Sequence, residues 1–205
     1  MEITTIDNFF PVDFYNKLLE ESNFYAWNFS RIDCDDALYW TKYVYGTNFS
    51  RTNPKFLDNF TEPTIKKAWQ YFSDKFNVSK DKLISVYLNG LHIGLEAYPH
   101  IDSYKSNDVT VICYLCENWN AYWSGATNFY TGVFSDNPAD IVFYTNEIQK
   151  SVLPKYNRIV IFNSNIIHGV APVSKSFKGL RKTLMFKLKD IDYKNLMTKV
   201  NNGNT

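Results

Sequence analysis

Only three cysteines occur in 205 residues. An odd and small number supplies no disulfide framework, so a reducing compartment is expected. Long apolar runs are missing too, since none approaches the about eighteen residues of a membrane span. The opening MEITTIDNFFPVDFYNKLLEE has no basic region followed by an apolar stretch, and a soluble, cytoplasmic protein without a membrane partner is expected. Excess charge of either sign is absent: 22 Lys plus Arg against 21 Asp plus Glu leave +1. That balance creates no global field to draw nucleic acid. Repeats, low-complexity segments and interdomain linkers are also lacking, and one domain over residues 1–205 is expected. Only the closing NNGNT reads as disordered.

Apolar and aromatic residues are abundant: 45% of the chain is hydrophobic and 18% aromatic, with 15 Tyr and 16 Phe. Such a chain packs a core. Cys113 and Cys116 form a nominal C-x-x-C pair, but they lie in VTVICYLC, a β-branched run that reads as a strand. Positions three apart on a strand point to opposite faces, so two buried thiols are expected and not a metal or redox pair.

Residues 1–80 read as a helical N-terminal support. ITTIDNFF suggests a short strand, and PVDFYNKLLEES a helix begun by Pro11 with Phe14, Leu18 and Leu19 on one stripe. A second helix, EPTIKKAWQYFSDKF, carries Ile65, Ala68, Trp69, Phe72 and Phe76 at helical spacing. Between them, RIDCDDALYWTKYVYGTNFSRTNPKFLDN shows no clear period, and a loop or short strands flanking a cavity are expected. From about residue 82 the chain turns to short β-rich runs separated by turns, the pattern of an antiparallel sandwich or open barrel.

The stretch AYPHIDSY, residues 97–104, places His100 one residue away from Asp102. On a strand both side chains project from one face and can bind one ion. A mononuclear iron site with open positions needs two imidazoles and a carboxylate on one triangular face, so a second histidine must come from elsewhere. His168, at the end of RIVIFNSNIIHGVAPV, follows a continuous apolar strand that can carry it to the pair. His92, in NGLHIG between Gly90 and Gly94, reads as an exposed turn residue and not a ligand. Arg181 opens the alternating run RKTLMFKL thirteen positions after His168 (181 − 168). Its guanidinium can form two parallel bonds to the far carboxylate of a dicarboxylate held on the metal. Lys182 should face the other way, and Lys178 lies on the preceding loop.

With these residues in place the chain resembles the iron(II)- and 2-oxoglutarate-dependent dioxygenases, in particular their prolyl 4-hydroxylase-like branch. The resemblance rests on H-x-D, a distal His and a later Arg, and extends to VYLNGLHIGLEAYPHID, to TVICYLCENWNAYWSGATNFY and to VLPKYNRIVIFNSNIIHGVAPV. It spans about residues 80–189 and, more weakly, TIDNFFPVDFYNKLLEE. It implies a mainly β fold with flanking α-helices around a double-stranded β-helix, or jelly roll, at residues 81–190. It further implies His100, Asp102 and His168 as iron ligands, Arg181 as the 2-oxoglutarate anchor, and Tyr87 as a hydrogen-bonding residue of the cosubstrate pocket, a place that a core aromatic would fill equally well. Asn89 and Thr127 could line the same pocket or form turns.

The implied reaction consumes O2 and 2-oxoglutarate, releases succinate and CO2, and hydroxylates an unactivated carbon, with ascorbate as a reductant for iron. Halogenation is disfavoured, since Asp102 fills the position a halide would take. A prolyl residue in a peptide or protein is the first substrate expectation, with free amino acids and other small metabolites next. The aromatic segment from Tyr39 to Phe49 and the ENWNAYW loop could form a lid or groove, or simply pack. Ser124 and Ala126 in SGATNF, and Asn157 in PKYNR, depart from the family pattern; Asn can take the left-handed conformation that glycine supplies. Two rival classes share the fold: a non-catalytic jelly-roll metal-binding module, and a cupin-type metalloenzyme indifferent to 2-oxoglutarate.

Overall fold

The β-branched and aromatic runs of the sequence build two facing antiparallel sheets in this computed structural model, which describes residues 2–31, 38–47, 56–133 and 144–202. Among the described residues the strands are β1 (Ile3–Ile6), β2 (Asn28–Arg31), β3 (Leu38–Thr47), β4 (Phe56–Leu57), β5 (Leu83–Leu91), β6 (Ala97–His100), β7 (Val109–Leu115), β8 (Thr127–Val133), β9 (Tyr144–Val152), β10 (Ile159–Asn163), β11 (His168–Val170) and β12 (Arg181–Leu188). The larger sheet has the order β1-β10-β7-β12-β5-β3-β2, with β4 paired to β3; the smaller has the order β6-β11-β8-β9. This is the mainly β, jelly-roll architecture expected from the sequence.

Strand alternation gives the larger sheet two chemically distinct faces. On β12, Leu184, Phe186 and Leu188 point to one side, into a core closed by α1 (Val12–Glu21) and α2 (Pro63–Phe76). Trp69 and Phe72 of α2 meet Phe186 with ring centroids 5.6 and 5.8 Å apart. Each such fully buried side chain contributes roughly 1.5–3 kcal/mol through apolar burial. Pro63 starts α2 without the loss of a helical N–H bond, and Asn77 ends it in the left-handed region at φ 47°. The opposite face carries Tyr87, Ile112, Tyr114, Phe162 and Met185 against Phe129 of the smaller sheet. The site lies on this second face, between the sheets.

Several expectations need amendment. The first eighty residues supply four strands as well as helices, and β1, β2 and β3 extend the larger sheet. Residues 38–47, expected as a loop or short strands, form a ten-residue strand paired to β5. A register shift between Tyr43 and Tyr45 breaks the alternation there, which is why the run shows no period in the sequence. Residues 32–37 and 48–55 of the same stretch, including Cys34, Asn48 and Phe49, lie outside the described residues. Cys113 and Cys116 face opposite sides as expected, but only Cys113 is fully buried and Cys116 is half-buried. Burial raises both thiols, Cys116 to about 12, which leaves them inert. At the C-terminus, α3 (Tyr193–Asn202) takes in Asn201 and Asn202 of the stretch expected to be disordered; residues 203–205 lie outside the described residues. No described helix is long and apolar enough to cross a membrane.

Candidate active site

His168 opens β11 and pairs across the ladder with His100, the last residue of β6. The two rings stand 4.4 Å apart between centroids. Each Nδ1 lies on the backbone carbonyl two residues earlier, Tyr98 O for His100 at 2.7 Å and Ile166 O for His168 at 2.9 Å. A carbonyl only accepts, so each Nδ1 carries the proton and each Nε2 keeps its lone pair for a ligand. Asp102 completes the group, with its Oδ1 3.5 Å from His100 Nε2 and its Oδ2 3.4 Å from His168 Nε2. The three ligand atoms lie within 4.8 Å of one another. Two imidazoles oriented from behind and one carboxylate are the donor set and facial arrangement that fit iron(II) with open positions.

The mechanism that brings Asp102 to this face differs from the expectation. The strand ends at His100, and Asp102 sits beyond it. Its placement comes from the backbone: the N–H groups of Asp102 and Ser103 both donate to Ser164 O, at 2.8 and 3.1 Å, which ties the H-x-D turn to the segment between β10 and β11. Thr110 Oγ1 then donates to Asp102 Oδ2 at 2.6 Å, and Lys187 Nζ pairs with the same oxygen. Burial by itself would raise the Asp102 carboxyl, but Lys187 and then His168 outweigh it and hold the group well below the usual carboxylate range. Burial also lowers His168, against the pull of Asp102. The carboxylate is ionised and the His168 ring neutral, the forms that bind a metal.

Arg181, at the start of β12, is 3% exposed and shares one cavity with the triad. Its Nε donates to Gly125 O at 2.6 Å, its Nη2 to Thr127 Oγ1 at 3.0 Å, and its guanidinium carbon stands 5.4 Å from the Tyr114 ring centre. Tyr114 O–H also donates to Thr127 Oγ1, at 2.8 Å. This frame holds the cation rigidly while it lines the pocket. Gly125 makes the seat possible: it has φ +70°, and a Cβ there would stand 3.0 Å from Arg181 Cδ. Ser124 and Asn157, two of the three departures from the family pattern, also take positive φ, 57° and 52°.

Tyr87 and Asn89 of β5 line the same pocket, and the buried Asn89 Oδ1 has no hydrogen-bond partner among the described residues. Thr127, left open between pocket and turn, is a pocket residue. His92 does not belong to the cluster of three: its Nδ1 accepts from Trp40 Nε1 at 3.0 Å, and the Phe29 ring lies 5.9 Å from its own between centroids. Gly90 belongs to β5 itself and not to an exposed turn, and a Cβ there would meet Leu180 at 2.7 Å. Lys182 faces away from the site, as expected, and donates to Ser22 Oγ and Asn23 Oδ1 at the end of α1. Lys178 is exposed and donates to Lys175 O at 3.1 Å. Sequence reasoning missed Lys187, Thr110, Ser164 and Gly125. The signal for Lys187 was available: it falls in phase with Arg181 on the pocket face of β12.

The family model described as the 2OG-Fe(II) oxygenase superfamily matches residues 84–186. No curated protein sequence matches the chain. Among solved structures, a prolyl-4-hydroxylase of Pseudomonas putida is similar over 93% of this chain and 94% of its own, at 15% identity and a TM-score of 0.59. A prolyl hydroxylase of Trichoplax adhaerens, in complex with a hypoxia inducible factor oxygen degradation domain peptide fragment, is similar over 96% of this chain and 86% of its own, at 15% identity and a TM-score of 0.61. The epimerase SnoN, in complex with Fe3+, α-ketoglutarate and nogalamycin RO, is similar over 92% of this chain and 79% of its own, at 9% identity and a TM-score of 0.63. At these identities the likeness is one of fold.

Proposed function

Because the chain belongs to the 2OG-Fe(II) oxygenase superfamily, we propose that it hydroxylates an unactivated carbon of a prolyl residue in a peptide or protein, acting as a single domain in the cytoplasm. Iron(II) with 2-oxoglutarate and O2 supplies the oxidising chemistry: one oxygen atom enters the substrate C–H bond and the other enters succinate as CO2 leaves. The observation that carries the reading is the convergence of His100, Asp102 and His168 within 4.8 Å, in one cavity with the buried Arg181. The family match covers all four positions, which favours a 2-oxoglutarate enzyme over a binding module or a cupin-type enzyme.

The work of the chain's own residues is to bind, orient and exclude water. His100, Asp102 and His168 hold the metal on one face and leave the other face to cosubstrate and oxygen. Arg181, kept rigid by Gly125 and Thr127, binds the distal carboxylate of 2-oxoglutarate, and Tyr87 walls the cosubstrate pocket. Ascorbate serves as the outside reductant that keeps iron divalent. The prolyl substrate draws its support from the two prolyl hydroxylases among the similar folds, one of them holding a peptide.

The test is succinate formation by the purified chain with iron(II), 2-oxoglutarate and O2, in the presence of proline-containing peptides and, separately, of free amino acids. A peptide should stimulate succinate release and gain one oxygen atom at a prolyl residue. Stimulation by free amino acids alone would contradict the peptide assignment and leave the oxygenase in place.

A further inference from the structure

Lys187 is 8% exposed near the C-terminal end of β12, on the strand face that carries Arg181, Thr183 and Met185 and just beyond the cavity they line, where an apolar residue would be the ordinary occupant. Its ammonium contacts Asp102 Oδ2, lies 3.3 Å from Thr110 Oγ1, and stands 5.9 Å from the centre of the Tyr87 ring. Thr110 in turn donates to Asp102 Oδ2 and lies 2.9 Å from Ser164 Oγ. Both partners of the carboxylate therefore act on Oδ2, which also stands 3.4 Å from His168 Nε2, while Oδ1, 3.5 Å from His100 Nε2, carries neither of them. A buried carboxylate held by a cation and a hydroxyl on one oxygen has only the other to give at full strength.

We propose that Lys187 is a positioning residue of the metal centre, one that restricts Asp102 to a single ligating oxygen and places a fixed positive charge behind the metal. Resting on the function proposed above, this assigns a role to a residue of this chain outside the ligand set. Monodentate binding by Asp102 keeps open the positions that a chelating keto acid and O2 require. The charge has a second consequence, because repulsion between Lys187 and the ion scales with the ion's charge. It weakens binding of a divalent metal and opposes a trivalent one more strongly, which favours iron(II) over iron(III).

Lys187→Met keeps the length of the side chain, removes the charge, and places an apolar residue in a buried setting, so the fold should tolerate it; Lys187→Gln is the second neutral variant. Manganese(II) affinity of the apo protein would be measured at pH 8 by calorimetry, alongside the iron(III)/iron(II) potential. The proposal expects about tenfold or tighter manganese(II) binding in both neutral variants and a lower potential, with Lys187→Arg closer to the unmutated protein on both measures. Equal or weaker manganese binding in the neutral variants, or an unchanged potential, overturns the role of Lys187 while leaving the proposed oxygenase intact. An unmutated protein that binds no manganese(II) overturns both.

Discussion

His168 and His100 occupy directly opposite places in the antiparallel ladder of β11 and β6, and backbone carbonyls fix both rings by their Nδ1 atoms. The sheet and its backbone carbonyls thus orient both imidazoles. If the three hold the metal as proposed, replacement of His100, Asp102 or His168 by Ala should weaken iron(II) binding by roughly 100-fold or more, since each would remove one ligand. His92→Ala should leave iron binding unchanged, because its ring is committed to Trp40 on another part of the sheet. Metal titration followed by calorimetry checks all four.

Arg181→Gln keeps some donors but loses the charge. Charged hydrogen bonds are worth about 1.5–3 kcal/mol, so the KM for 2-oxoglutarate should rise roughly 10- to 100-fold while iron affinity stays the same. Steady-state succinate release against cosubstrate concentration reads this directly.

Gly125→Ala should mimic part of that loss without touching the guanidinium. The added methyl meets Arg181 Cδ, and φ +70° is strained for alanine. An expected stability loss of about 1 kcal/mol or more should accompany a raised KM for 2-oxoglutarate. Thermal melting and the same kinetic series check the two effects separately.

The candidate ligands His100 and His168 were legible in the sequence because local features mark them: a β-rich run that ends at the H-x-D turn, and an apolar strand followed, after a short connection, by His168 at the start of β11. Arg181 was legible for the same reason, since alternation along β12 turns it inward and Lys182 outward. What escaped was set by contacts distant in sequence. Asp102 owes its position to Ser164, sixty-two residues on (164 − 102), and nothing near Asp102 records that bond. The strand at residues 38–47 was hidden by its register shift, and its Tyr39 reaches the pocket only because β3 pairs with β5. Lys187 sits among other lysines: strand phase separates it from Lys182, which faces the other side, but not from Lys189, which differs only in lying beyond the end of β12 and being exposed.

The metal-free protein should respond to acid through His168. Burial puts its folded pKa below the ordinary 6.5, so the unfolded chain takes up the proton first. Stability from this group is fully present above pH 6.5 and is lost as pH falls from there through the lower folded value. In NMR titrations the His168 ring should change charge below pH 6.5, and in denaturant melts His168→Asn should flatten the slope of stability against pH in that window. A His168 that titrates above 6.5 would contradict the buried, neutral ligand described above.

The central claim, that one cavity holds iron on the triad and 2-oxoglutarate beside it, is tested most directly by anaerobic addition of iron(II) and then 2-oxoglutarate to the metal-free protein, with His168→Ala as control. The visible charge-transfer absorption of a chelated keto acid should appear in the unmutated protein and be absent in the variant. Iron binding without that absorption would contradict the oxygenase account and leave only a metal site.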